Sequence, residues 1–371
     1  MACGAEFPAA PAEGSLPAGG AVEAKKYSCD GCGSLMLYDA ATKAMKCPFC
    51  GGAKGIERDA SYIAVEHALD DVPDDRLRTE APKTFRCERC GAEVVFPGAT
   101  VSASCPFCGS AQVVERKGAA GRILPQSVLP FLVPLEAARA KWREWLGTGW
   151  FRPRGLRDSA TGESLAGVYL PFWTYDTRTW SRWTAEAGFS YTVTVGSGQD
   201  QRTETRTRWE FASGERRDFH DDVLVCASKG LDEGMLEHAY PYGLKDLQPY
   251  RSDYLAGWAA EEYIVDLKEG WRRARERVNE AEVRACSRDV PGDTQRGLRV
   301  WTQHAEVTWK HALLPLWIAT YRWRDKTYRF LVNGQTGKVA GTAPVSWVKV
   351  AVAVVVAAAL GIGGYLLFRH R

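Results

Sequence analysis

The stretches "YSCDGCGSLMLYDAATKAMKCPFCGG" (27–52) and "FRCERCGAEVVFPGATVSASCPFCGS" (85–110) align without a gap. Each cysteine of the second lies 58 residues after its counterpart, as Cys87 does after Cys29. Eight of the 11 cysteines fall in these copies as four CxxC pairs: Cys29/Cys32, Cys47/Cys50, Cys87/Cys90 and Cys105/Cys108. The region is therefore a tandem duplication. Two residues between cysteines let both sulfurs of a tight turn reach one ion. Four thiolates at one point form a closed tetrahedral site, the arrangement of structural Zn²⁺. The glycine after each second cysteine (Gly33, Gly51, Gly91, Gly109) suits a turn with positive φ, and Pro48 and Pro106 stiffen two of the turns. The segments between the pairs read as hairpin strands, so each unit reads as a zinc ribbon whose folding is coupled to metal binding.

The compartment supports this reading. The N-terminus "MACGAEFPAAPAEGSLPAGG" has neither a basic n-region nor an apolar h-region. An unexported chain keeps its thiols reduced, which favours metal over disulfides. Iron is the runner-up metal, because rubredoxins use similar CxxCG turns, though with pairs farther apart in sequence. His67, between the copies in "AVEHALDD", reads as a surface residue on a short helix, since each site already has four sulfurs. The net charge of +3 on 371 residues is too small to imply a polyanion partner.

A different composition follows. All 14 tryptophans lie between Trp142 and Trp347, which marks a separate aromatic-rich domain over 122–343. "LEAARAKWREWLG" and "DLKEGWRRARERVNEAEVRACSRDV" have helical character. "GVYLPFWTYDTRTWSRWTAEAGFSYTVTV" and the C-terminal third read as antiparallel strands. "YLPFWTYD" (169–176) resembles "LLPLWIATY" (313–321), which suggests two related halves, each a helix followed by strands. Residues 350–368, "VAVAVVVAAALGIGGYLLF", carry no charge and as a helix extend about 28 Å, which predicts a transmembrane helix over 347–368. Reduced zinc sites and the preceding basic residues would then place the bulk of the chain in the cytoplasm, on a single-pass C-terminal anchor in the inner membrane. The expected organisation is a 1–24 tail, ribbon 25–52, linker 53–82, ribbon 83–117, the 122–343 domain and the span. The fold class is thus α+β multidomain, with two small β ribbons, an antiparallel-sheet domain and one transmembrane helix.

No catalytic constellation emerges. "GQTGK" (334–338) lacks the Gly and the Ser/Thr of a phosphate-binding loop, having Val332 and Val339 there, and reads as a hairpin turn at Asn333-Gly334 and Gly337. "DFHDD" (218–222) reads as a polar loop at His220 rather than a metal site. Cys226 and Cys286 read as core fillers. "WFRPRG", "RTWSRW" and "TYRWR" read as arginines stacked on aromatics across strands, in preference to a nucleic-acid or headgroup surface.

On the ribbons, "GVYLPFWTYD", "LPLWIATYRWRDKTYRFLVNGQTGKV" and the apolar tail, the chain resembles a family of bacterial zinc-ribbon membrane proteins. Its members carry the labels TFIIB-type zinc ribbon-containing protein and primosomal protein N′ (replication factor Y), superfamily II helicase. The resemblance implies an association with membrane-stress systems. Helicase activity needs a Walker A loop and a DExx-type box, and the sequence has neither. The expectation is a non-enzymatic, membrane-anchored adaptor for protein partners, with nucleic-acid binding through the ribbons as the alternative. The eight ribbon cysteines are its metal ligands, and it has no catalytic or further cofactor residues.

Overall fold

The computed structural model describes residues 28–73, 77, 83–89, 92–95, 105, 107, 113–117, 121–156, 164–196, 201–324 and 326–369. The first ribbon is a three-stranded antiparallel sheet of β1 (Leu37–Asp39), β2 (Ala44–Lys46) and β3 (Ala53–Gly55). The following segment contributes β4 (His67–Ala68) to the main sheet. This replaces the expected short helix, because residues 67–68 pair with Trp309 and Thr308 and Leu69 N–H donates to Val307 O. The second ribbon supplies β5 (Lys83–Cys87), β6 (Glu93–Val95) and β7 (Val113–Lys117) to that same sheet. Next come β8 (Ser127–Val128), α1 (Leu135–Gly147), β9 (Ser164–Val195), β10 (Arg202–Cys226), α2 (Glu233–His238), β11 (Gln248–Pro249) and β12 (Ala259–Glu261). The chain ends with α3 (Leu267–Asp289), β13 (Thr294–Trp323), β14 (Lys326–Asn333), β15 (Val339–Gly341) and α4 (Trp347–Arg369).

The protein is mostly β with these four helices. Three strands of 32, 25 and 30 residues (β9, β10 and β13) dominate it, with β9 paired antiparallel to both others. Their inner ends bury Leu170, Phe172, Leu314 and Leu316 completely. Their outer ends form an arm whose one face is covered by α3, through Trp183, Ala185 and Cys286.

A two-fold pseudosymmetry organises the centre of the sheet, about the pair Leu170↔Leu314. On one side Ala227 N–H donates to Pro171 O, Ile264 and Val265 N–H both donate to Ala227 O, and the Trp173 indole donates to Val265 O at 2.9 Å. On the other, Gly334 N–H donates to Pro315 O, Leu132 and Val133 N–H both donate to Gly334 O, and the Trp317 indole donates to Val133 O at 2.9 Å. Each indole thus ties a long strand to the residue two before a helix, α3 or α1. The short strands cross over as well, since β8 runs parallel to β13 and β12 parallel to β9. The tryptophan of each Leu-Pro-x-Trp motif satisfies a buried carbonyl at a helix entrance, which fixes where the helix starts relative to the sheet.

The C-terminal apolar run forms α4, but the expected membrane span is overturned: among the described residues no helix is long and apolar enough to cross a membrane. The start of α4 is fastened to the body instead, with Lys349 Nζ donating to Arg152 O at 2.8 Å and Ser346 N–H to Phe151 O at 2.7 Å. The expected fold class with its transmembrane element, the single-pass anchor, the membrane as partner, and the inner-membrane placement with a cytoplasmic bulk all rested on that span and are withdrawn with it.

Candidate metal centres

The first ribbon brings Cys29, Cys32, Cys47 and Cys50 together, with all four sulfurs within 4.8 Å of one another. Cys29 and Cys50 sulfurs lie 3.4 Å apart, as do those of Cys32 and Cys47. A tetrahedral ion with bonds of about 2.3 Å separates its sulfurs by roughly 3.8 Å, so the cluster can hold one metal ion with little movement. The two turns are built alike. Cys29 N–H donates to Ser34 O and Gly33 N–H to Cys29 O, both at 2.8 Å. Cys47 N–H donates to Gly52 O at 2.8 Å and Gly51 N–H to Cys47 O at 3.1 Å. Gly33 and Gly51 have φ of 72° and 76°, where a side chain is strained.

The electrostatics suit a cation. The hydroxyl and N–H of Ser34, with the sulfurs of Cys47 and Cys50, lower Cys32 to about 6. Cys50 receives the Gly52 N–H, yet the sulfurs of Cys29, Cys32 and Cys47 push it up to about 12. One thiolate forms readily, and the last forms only when a cation offsets the repulsion among four sulfurs.

The second ribbon repeats this backbone where it is described. Cys87 N–H donates to Ala92 O at 2.9 Å, the counterpart of the bond from Cys29 to Ser34. Arg86 pairs with Glu93 as Ser28 bridges Leu35. Cys87 and Cys105 are both buried. Cys90 and Cys108 lie outside the described residues.

The two copies meet the body through different faces. In the first, the hairpin turns inward: Tyr38 hydroxyl donates to Phe131 O and Trp258 indole donates to Tyr38 O, both at 3.0 Å. Its knuckle faces outward, with Cys32, Cys50 and Leu35 exposed and Phe49 72% exposed. In the second, the knuckle itself is buried. Phe107 is 0% exposed, its ring packs so closely on Gly230 that a Cβ there would lie 3.0 Å away, and its carbonyl accepts from Thr320 Oγ1 at 3.2 Å.

The other sequence candidates are dispersed. His67 is half-buried against the Trp309 ring, with Nε2 3.0 Å from Gln126 Oε1, away from both cysteine clusters. His220 lies in β10 rather than a loop, with Nε2 2.7 Å from buried Glu282, which also accepts from Thr179 and Ser181. "GQTGK" is the turn between β14 and β15, with Gly337 N–H donating to Asn333 O. Cys226 and Cys286 are buried. Arginines do stack on aromatics across strands, as Arg296 on Trp209 and Arg217 on Trp180.

One cluster is only partly visible in the sequence, where Asp221 and Asp222 fall in the "DFHDD" motif read as a polar loop. Asp176, Asp221 and Asp222 converge closely enough to hold a cation, and the chain supplies one. Lys310 Nζ lies 2.8 Å from Asp222, 3.3 Å from Glu66 and 3.6 Å from Asp176. Burial raises Asp176 to about 6. These groups are spread over about 245 residues of sequence (66 to 310), and no local spacing joins them.

Among known proteins, the chain is 30% identical over 329 residues to "Uncharacterized protein YdjG" of Bacillus subtilis (strain 168), covering 88% of this chain and 92% of that one. The chain belongs to the YdjG family. No family profile matches it, and no solved structure matches it. The similarity to YdjG spans nearly both whole chains.

Proposed function

We propose that this protein is a non-enzymatic interaction scaffold of the TFIIB-type zinc-ribbon kind, with Zn²⁺ in two four-cysteine sites. Cys29, Cys32, Cys47 and Cys50 hold one ion, and Cys87, Cys90, Cys105 and Cys108 the other. The zinc is structural, because four sulfurs leave no open position for substrate. The ribbon at 25–52 is the recognition module for a protein partner, and the long sheet is the frame that presents it. The observation that carries this reading is the outward knuckle of the first ribbon, with Phe49 72% exposed where its duplicate Phe107 is 0% exposed. A large aromatic on a metal-rigidified turn loses little entropy on binding and offers the area of an interface anchor.

The test places a photo-crosslinking phenylalanine analogue at position 49 of the full chain, with a control at exposed Tyr191. The expected result is a discrete protein adduct from position 49, absent from position 191 and lost in Cys47→Ser. Identical adducts from both positions, or adducts that survive Cys47→Ser, would overturn the reading.

A further inference from the structure

The arm of β10, β9 and β13 has a second face that no other element covers among the described residues. Side chains alternate along a strand, so those of Arg178, Trp180 and Arg182 point away from α3, while Thr179, Ser181 and Trp183 face it. In the register of the arm, Arg178 lies opposite Phe219 of β10, and Arg182 lies opposite Trp301 of β13. Phe219, Trp180 and Trp301 therefore form a diagonal that steps one strand and two residues at a time. With strands about 4.8 Å apart and about 6.8 Å per two residues, successive rings are about 8 Å apart. Phe219 is 55% exposed and Trp301 56%, and Phe211 on the same face is 76% exposed. Such a concentration of open rings on one sheet face marks a binding surface.

Arginines interleave with the rings. Arg178, Arg182 and Arg296 are neutralised by Glu306, Glu215 and Glu186 at 2.7, 2.9 and 2.6 Å. Arg217 and Arg299 have no carboxylate partner among the described residues. Arg217 lies opposite Trp180, with its guanidinium 5.4 Å from the ring centroid, and Arg299 precedes Trp301 by two residues on the same face. The two unneutralised charges therefore flank the diagonal.

We propose that this face binds single-stranded nucleic acid, with bases stacked on Phe219, Trp180 and Trp301 and phosphates set against Arg217 and Arg299. The stacking needs base faces, which a duplex hides, and tolerates any sequence because every base has a π-face. The fixed glutamates of the three ion pairs oppose a uniformly anionic surface such as a lipid bilayer, whereas a single strand can thread its phosphates past them.

The experiment measures anisotropy of labelled oligo(dT) and oligo(U) of about 20 nucleotides with the full chain across a salt series, beside a duplex and anionic vesicles. Both single strands bind in preference to the duplex and the vesicles. Trp301→Ala and Phe219→Ala each weaken binding about tenfold or more. Arg217→Gln with Arg299→Gln flattens the salt slope by about 1.4, at roughly 0.7 for each phosphate left without its arginine. These positions are exposed, and the thermal midpoint of each variant, set beside the wild type, checks that it folds. Lys43→Gln with Lys46→Gln, two exposed positions of the first ribbon, leaves binding unchanged. The proposal is overturned by an absence of single-strand binding at low salt, by affinity indifferent to Trp301→Ala and Phe219→Ala, by preference for vesicles or duplex, or by loss of binding in the Lys43→Gln, Lys46→Gln variant alone.

Discussion

The two ribbons share one sequence pattern and, among the described residues, the backbone bond that opens the first turn, yet they use their knuckles differently. Phe49 and Phe107 occupy the same place in "CPFCG", one facing solvent and the other sealed against Gly230. The knuckle is self-sufficient once four sulfurs and a metal close it, so its outer surface is free to be used for docking within the chain or outside it. In the second copy that surface fastens the ribbon to β13 through Thr320 and to the shared core around Leu170 and Leu316. In the first, the hairpin does the fastening through Tyr38, and the knuckle is left over.

The largest effect that can break this comparison comes from removing the metal. Structural zinc in small ribbons contributes on the order of 10–16 kcal/mol to folding. A strong chelator is expected to collapse the near-ultraviolet circular dichroism of the whole chain, because the second knuckle is part of the main core. Retention of that signal with two metals extracted would show the ribbons to be independent of the sheet. Next in size is the phenylalanine pair. Phe107→Ala is expected to cost about 3–5 kcal/mol in urea denaturation, and Phe49→Ala to stay within about 0.5 kcal/mol. Equal costs would remove the distinction between the copies.

A third prediction moves the comparison from the ribbons to the two halves of the sheet. Trp173→Phe and Trp317→Phe each leave a buried carbonyl, of Val265 or Val133, without its indole donor. Each is expected to cost about 1–3 kcal/mol, and the two costs should agree closely. A large disparity would mean that the pseudosymmetry is geometric but not energetic.

The smallest effect is a pH slope. Asp176 is raised by burial to about 6, well above the ordinary aspartate range, beside Lys310, Glu66 and Asp222. A carboxyl with a raised folded-state pKa binds more protons when native than when unfolded. Its contribution to stability is present below about pH 4 and declines as pH rises to about 6. The difference in thermal midpoint between wild type and Asp176→Asn should therefore move against the wild type between about pH 4 and about pH 6, then level off. A flat difference across that interval would place the proton elsewhere.

Much of this was legible locally. The cysteine spacing gives the first metal cluster, the periodicity of 135–147 and 267–289 gives α1 and α3, and Asn333-Gly334 with Gly337 gives the β14–β15 turn. What was not legible depends on partners distant in sequence. The 30-residue strands were hidden because Arg and Trp alternate with Thr and Ser along the arm, and only α3 decides which set is inside. His67 became a strand because β13 offered it a ladder. The Lys310 cluster assembles from β9, β10, β13 and the inter-ribbon segment. The two identical "CPFCG" stretches could not reveal their opposite orientations, since Gly230 and Thr320 decide them. The C-terminal run misled by its composition, which registers apolarity but not the anchoring of its first turn on Phe151 and Arg152.

The proposed pair of closed four-sulfur sites is tested most directly by the metal content of the purified full chain. Elemental analysis by inductively coupled plasma mass spectrometry should find two zinc ions per chain, falling to one in Cys32→Ser, whose side chain is exposed and whose loss spares the second knuckle. One ion or none in the wild type, or iron in place of zinc, would contradict it.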